Sequence, residues 1–392
     1  MKMSQTGVGA FLLVALAAAA QTGDLHRDAL VFDAHVHMVN RQFYLGGDIN
    51  QRYPNGQVDL PRAREGGVDA MFFSIYPQEQ YYPKRFEVKQ TLRLMDLSLD
   101  QIEKNRNWIE IARTASDLER IARAGKIAAV LDIEGGFDLD GDLHVLRALY
   151  RLGLRSAMLP AHNYTNNFAD YCCGPPKWNG INEKGREVIR EMNRLGMVIN
   201  VAHGSDEAIR QAVEASSDPV LFSHGGFRHF VDMPRSITDG SARAIASRGG
   251  VIALQFGNSF SNPRYFEWRQ KNRPAGLPGR TPPLETAATI EDIDRQVGRR
   301  YQVEPAGVPD AVLMDMSQLV EVIDYAVRLV GEDHVALGSD FDGAVEPPRG
   351  MKDISHYPQL TAAMQKRGYS EQRIRKILGL NLLRLFRQVI EQ

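Results

Sequence analysis

Eight apolar, β-branched runs recur along the chain with helix-like spacers between them, and this recurrence restricts the fold more than any other feature. The runs are "LVFDAHVH", "VDAMFFSIY", "KIAAVLDIEG", "RSAMLPAHN", "MVINVAH", "PVLFSHG", "GVIALQFG" and "HVALGSDFDG". They are nearly continuous in apolar character rather than alternating, as expected of parallel strands covered on the outside by helices. Strand then helix, repeated eight times, predicts an α/β fold: a (β/α)8 TIM barrel with its functional groups at the C-terminal ends of the strands. An open, doubly wound sheet is the competing fold. Between the runs, Val88, Leu92, Met95, Leu99 and Ile102 fall on one helical face, and Ser116 with Glu119 reads as a capping box. A helix from Asn182 to Leu195 is expected to stop at Gly196. The stretch Asn258 to Met316 is too long for a simple loop and contains "RPAGLPGRTPPLE" and a helical "ATIEDIDRQVGRRY". It reads as an insertion after the seventh strand that either lies over the barrel mouth or serves as a dimer arm. Residues 21–392 are thus expected to form one barrel domain.

The N-terminus carries Lys2 and an apolar stretch from Val8 to Ala20 ending in three alanines. This is the pattern of a cleaved secretory signal over residues 1–20, which predicts a secreted or periplasmic protein with no stable membrane anchor. The C-terminal "RLFRQVIEQ" lacks the features of a lipid-anchor signal. With 47 basic against 48 acidic residues, there is no broad basic surface for nucleic acid or acidic lipid. Cys172 and Cys173 are the only cysteines. Being adjacent, they cannot staple a long loop, and a vicinal disulfide, a metal pair or two buried thiols all remain open.

The chemistry lies in what ends each run. His35 and His37 close the first, Glu134 the third, His162 the fourth, His203 the fifth, His224 the sixth and Asp340 the eighth, so five of the ten histidines sit at strand ends. His35 and His37 are two residues apart on a strand and so share a face, roughly 7 Å apart at the backbone. A buried carboxylate needs a cationic partner, and imidazoles with carboxylates and no cysteine suit zinc or a similar dication. One ion is expected on His35, His37, Glu134 and Asp340, and another on Glu134, His203 and His224, with Glu134 bridging. No G-x-S-x-G elbow is present, and no phosphate-cradling G-x-x-x-x-G-K-[ST].

These residues in this order resemble the membrane dipeptidase (renal dipeptidase) family of zinc metallopeptidases. The likeness rests mainly on "GREVIREMNRLGMVINVAH", "HVALGSDFDG" and "IRKILGLNLLRLF", and spans Asp33 to about Phe386. The resemblance implies a two-zinc barrel that hydrolyses dipeptides by attack of a metal-bound hydroxide, often tolerating a D-residue at the C-terminal position. It also implies roles: Glu134 as the bridging ligand, His203 and His224 on the second metal, and Asp340 as the group managing the proton. His162 would polarise the scissile carbonyl, and Arg235, in "DMPRSI", would hold the substrate carboxylate. One position departs from the family pattern: His37 stands where a His-x-Asp motif would have aspartate, which removes a negative charge. His-x-His is shared with wider amidohydrolase barrels, so lactone, phosphotriester or deaminase chemistry and a non-catalytic binding role are the alternatives. The partner is expected to be a small dipeptide, with a homodimer left open as the assembly.

Overall fold

The computed structural model describes residues 25–79, 81–82, 86–272, 289–301 and 307–391. The expected signal segment and the "RPAGLPGRTPPLE" stretch lie outside these residues. Eight strands form a closed parallel barrel: β1 (Phe32–Val36), β2 (Ala70–Ile75), β3 (Ile127–Ile133), β4 (Leu154–Met158), β5 (Val198–Asn200), β6 (Leu221–Phe222), β7 (Val251–Leu254) and β8 (Val335–Leu337). Each pairs in parallel with the next, and β8 closes on β1 through Asp33 opposite Leu337. All eight coincide with the apolar runs, and helices alternate with them. The architecture is the (β/α)8 barrel that the recurrence predicts.

Every strand residue of β1 to β8 is buried, which is why the runs read as continuous. Along β2, Ala70, Phe72 and Ser74 share one face, and along β3, Ala128, Val130 and Asp132 share one. Both faces are apolar at the start of the strand and polar at its end. The apolar layer that includes Phe32, Phe72, Val130, Val198, Leu221 and Ala253 is continuous with Leu382, Leu385, Phe386 and Val389 of the last helix, Asn381–Ile390. That helix packs on β1, β5, β7 and β8. On these faces of β2 and β3 the polar side chains Ser74 and Asp132 thereby sit at the strands' C-terminal ends.

Three local expectations need correction. A short strand, Ile109–Ile111, pairs with the start of β3 from Ile109 opposite Ile127, ahead of the point where β4 joins at Leu131. Three residues are too few to show a period, and they cover backbone that β4 does not reach. On the helix Glu87–Lys104 the buried stripe is Gln90, Thr91, Leu94, Met95, Ser98, Gln101 and Ile102, while Val88 and Leu92 face outward. Two of the polar members find partners inside: Gln101 Oε1 accepts from Ile49 N–H and Ser98 Oγ donates to Leu94 O. The helix Ala115–Arg123 is capped by Thr114, whose side chain accepts from Asp117 N–H. Ser116 instead donates to Glu391. The Asn182 cap and the left-handed Gly196 stop occur as expected, at φ 68°.

Of the long insertion, the helices Asn258–Ser261, Pro263–Lys271 and Ile290–Tyr301 are described. Ile290, Ile293 and Val297 form a small separate core with Tyr81 and Tyr82. Tyr301 stacks on Tyr44 at 5.2 Å and accepts through its hydroxyl from Gln78 Nε2 at 2.6 Å. The insertion helix therefore sits against the loops that follow β1 and β2.

At the opposite end of the barrel, burial pushes the Asp69 carboxyl up to about 6, partly offset by the Val31 N–H that donates to it. Between the unfolded value near 3.8 and about 6 the folded state holds the extra proton. Stability at Asp69 is therefore lost as pH rises through this window. Asp69→Asn is expected to gain up to about 2 kcal/mol on the wild type between pH 4 and pH 7. Urea midpoints for both proteins across that range check it; a constant difference contradicts it.

Candidate metal centre and substrate site

All seven strand-end residues converge on one pocket at the C-terminal ends of the strands. Glu134, just past β3, lies at the centre and is almost wholly buried. Its Oε2 is 3.5 Å from His35 Nε2 and 3.2 Å from His37 Nε2. Its Oε1 is 3.2 Å from His203 Nε2, 3.4 Å from His162 Nε2 and 3.7 Å from His224 Nε2. Asp340 Oδ1 stands 3.0 Å from His37 Nε2 and 3.8 Å from His35 Nε2. The two oxygens of one carboxylate thus face two different sets of imidazoles.

Backbone geometry aims these groups. Phe341 O accepts from His37 N–H and His35 O accepts from Asp340 N–H, which ties the end of β1 to the end of β8. Asp33 reinforces the seam, accepting from Ser339 N–H and Oγ, His35 N–H and the Tyr357 hydroxyl. His203 and Asp340 both adopt left-handed backbone, at φ 63° and 60°. Such conformations cost energy for residues other than glycine and cluster where side chains must be aimed. A Cβ at Gly343 would collide with Asp340 Oδ1 and His37, so this position has no room for a side chain.

A second layer orients the imidazoles. Ser74 Oγ donates to Asp132 at 3.2 Å and, its single proton spent, accepts from His35 Nδ1 at 2.7 Å. His35 Nε2 then carries a lone pair directed at the pocket. Ser223 Oγ contacts His224 Nδ1 at 3.0 Å and accepts from Asn200 Nδ2. Gln255, ending β7, donates to Asp340 Oδ2, and the Tyr76 hydroxyl meets His162 Nδ1 at 3.2 Å. Glu79 accepts from the backbone N–H groups of His162 and Asn163. None of these supporting residues was singled out from sequence. A faint signal existed: Ser74, Asp132, Ser223 and Gln255 are polar residues inside apolar runs, each within two residues of a strand end.

The electrostatics match a site built for positive charge. Burial would raise the Glu134 carboxyl, yet His162, His37 and His35 together hold it well below its ordinary value. Burial would lower His37, but Glu134 and Asp340 push it up to about 9. Burial drives His203 and His224 well below the ordinary imidazole value, with the Arg235 cation and, for His224, the His35 ring adding to the shift. Neutral imidazole with a free nitrogen is the form that ligates metal. His35 Nε2 and Glu134 Oε2 are buried without a hydrogen-bond partner. Three groups, His35–His37–Asp340, His35–Glu134–His224 and Glu134–His162–His203, have donor atoms close enough to hold a cation. The donor set fits metal ions. Around these groups His224 also stacks on His35 at 3.8 Å, and His162 joins His203 at Glu134 Oε1.

Arg235 reaches the rim from the loop after β6. Its guanidinium lies 5.9 Å from the Phe222 ring and 5.5 Å from the Phe260 ring, and donates one N–H to His224 O at 3.2 Å. Its Nη1 is buried without a partner, beside Gly225, where a Cβ would crowd it. Burial lowers it to about 10, with Glu134 and Asp340 opposing the shift, so it stays a cation at neutral pH. The arrangement is a half-satisfied guanidinium with donors to spare at the edge of an anionic, imidazole-rich pocket. Of the described residues, no helix is long and apolar enough to cross a membrane.

Comparison with known proteins accords with this geometry. Residues 19–392 match a family model described as membrane dipeptidase (peptidase family M19). The chain is 30% identical to dipeptidase tcpJ of Claviceps purpurea over 342 residues, covering 85% of this chain and 69% of that protein. It is 28% identical to dipeptidase ataJ of Aspergillus terreus, covering 86% and 77%. Among solved structures it is similar to the probable dipeptidase PvdM of Pseudomonas aeruginosa, with TM-score 0.77 and 25% identity over 95% of this chain and 98% of the other. A metallopeptidase of Rhodobacter sphaeroides, liganded with a phosphinate mimic of the dipeptide L-Ala-D-Ala, shares the fold with TM-score 0.71 and 24% identity over 92% and 99%.

Proposed function

Since the chain belongs to the membrane dipeptidase family, peptidase family M19, and is thus a peptide-bond hydrolase, we propose that it cleaves small dipeptides with the help of two zinc ions at the barrel rim. The supporting observation is the central Glu134, whose two oxygens address His35 and His37 on one side and His203, His224 and His162 on the other. His35, His37, Glu134 and Asp340 would hold one ion, and Glu134, His203 and His224 the other. Bound there, such cations supply Lewis acidity and make water more acidic.

The chain's own groups do the rest. Arg235 takes the free carboxylate of the substrate through its unused donors, which fixes the substrate's end and limits its length. His162, backed by the Tyr76 hydroxyl, donates toward the carbonyl oxygen as charge develops on it. Asp340, its Oδ2 held by Gln255, accepts the proton of the attacking water and passes it to the leaving amine. A pocket that recognises the terminal carboxylate, rather than the side chain beside it, accommodates a D-residue there. The N-terminal signal pattern supports a secreted or periplasmic location.

Zinc-loaded protein assayed on L,L- and L,D-dipeptides, L-Ala-D-Ala included, while bound zinc per chain is counted, tests the reading. Turnover of dipeptides with close to two zinc ions is expected. Activity confined to esters, phosphotriesters or aminopurines would overturn the substrate, and a count of one would overturn the paired site. Ser74→Ala, which strips His35 Nδ1 of its acceptor, is expected to weaken zinc binding roughly tenfold. Chelator competition measures it; unchanged affinity would show that Ser74 does not tune His35.

A further inference from the structure

The segment following β4 brings the two cysteines to the edge of the site, joined to each other as a disulfide between neighbours in sequence. Such a bond closes no loop of intervening residues, so chain-entropy stabilisation is not its use. Both cysteines are half-buried, within reach of a small reagent. Their backbone is tied to the pocket: Cys172 N–H donates to His203 O at 2.7 Å, and Ser205 N–H donates to Asp170 O at 3.1 Å. Tyr171 also bridges to Gly204. Position 203 is one of the two left-handed site residues, a conformation that persists only where its surroundings enforce it. The rest of the segment is held independently, since the Asp170 carboxylate accepts from Lys177, Trp178 and Gly180 N–H groups. What happens at the cysteine pair is therefore felt at His203 without unravelling the segment.

We infer that Cys172–Cys173 is a redox modification site, that a low-molecular-weight dithiol is the class of reductant it takes, and that its oxidised form locks the backbone of His203. A thiolate of the dithiol attacks one cysteine sulfur; the S–S bond breaks, and its electron pair leaves on the other cysteine as thiolate. The second thiolate of the reagent then attacks the mixed disulfide, releasing the cyclic oxidised reagent and the remaining cysteine thiolate. Two electrons enter the protein, and water supplies the protons for the two thiols. Opening the ring frees the Cys172 ψ and Cys173 φ torsions on either side of the planar peptide bond that joins them, and Cys172 N–H is no longer constrained toward His203 O. Oxidised glutathione runs the exchange backwards. The consequence for zinc affinity rests on the function proposed above; the consequence for the backbone does not.

The full chain, freed of cations by chelation, is reduced with dithiothreitol under argon, and the reagent is removed. Mass spectrometry is expected to show the gain of two hydrogens in folded protein. Hydrogen–deuterium exchange is expected to quicken at Cys172 and across residues 203–205. The double variant Cys172→Ala/Cys173→Ala should exchange like the reduced protein and ignore dithiothreitol. Zinc affinity, by chelator competition, should fall about tenfold in both, and oxidised glutathione should restore it in the wild type alone. A pair that resists reduction until the protein unfolds, or exchange at 172 and 203–205 that is the same in all forms, would overturn the inference. Absence of zinc binding in every form would defeat the metal reading, while the exchange data would still decide the redox lock.

Discussion

Glu134→Gln is expected to lower kcat/KM for dipeptides by roughly 10²–10⁴, corresponding to the 3–5 kcal/mol lost when one partner of a buried charged cluster is removed. The substitution changes little in volume, but an amide offers one acceptor oxygen where the carboxylate offers two. Whichever way the amide turns, its NH2 faces either His35 and His37 or His203, His162 and His224, all now within 3.2–3.7 Å of a donor instead of an acceptor. The site also loses the charge that its imidazoles surround. Bound zinc counted in the same sample is expected to fall below one per chain. Full zinc occupancy together with near-normal turnover would contradict a bridging role for Glu134.

Arg235→Ala is expected to cut kcat/KM for dipeptides by roughly 10–100-fold, the loss of a charge-assisted hydrogen-bonded pair worth about 1.5–3 kcal/mol. The loss should appear mainly in KM, because the guanidinium grips a carboxylate that does not react. The control is an amide-capped dipeptide, which lacks that carboxylate and should be hydrolysed equally by both proteins. Equal losses on capped and free substrates would show that Arg235 serves the pocket's structure instead. Contacts for such a role are present: the guanidinium donates to His224 O and packs on Phe222 and Phe260. The substrate pair separates the two.

The strand ends were readable because a closed parallel barrel makes a simple promise: strands buried on both faces are apolar throughout, so a polar residue at the end of a run stands out. His35, Glu134, His203 and Asp340 announced themselves in this way. Ser74 and Asp132 did not, because one polar residue inside an apolar run has many explanations. Only the register that sets β1, β2 and β3 side by side shows that Ser74 links His35 to Asp132. The helix Glu87–Lys104 misled for a related reason. Its apolar period pointed to Val88 and Leu92, whereas Gln90 and Gln101 went inside because partners waited for them there.

By itself the sequence determined the class of fold, the end of the barrel that carries the chemistry and the residue types assembled there, because these follow from local periodicity and from composition at strand ends. The tertiary structure alone decided how the donors are shared: which oxygen of Glu134 meets which imidazoles, the stacking of His224 on His35, the spare donors of Arg235, and the link from Cys172 to His203. Those depend on contacts between residues tens to hundreds of positions apart. Ångström-scale distances between such residues are set by barrel register, backbone dihedrals and packing acting together, and no stretch of sequence read in isolation encodes them.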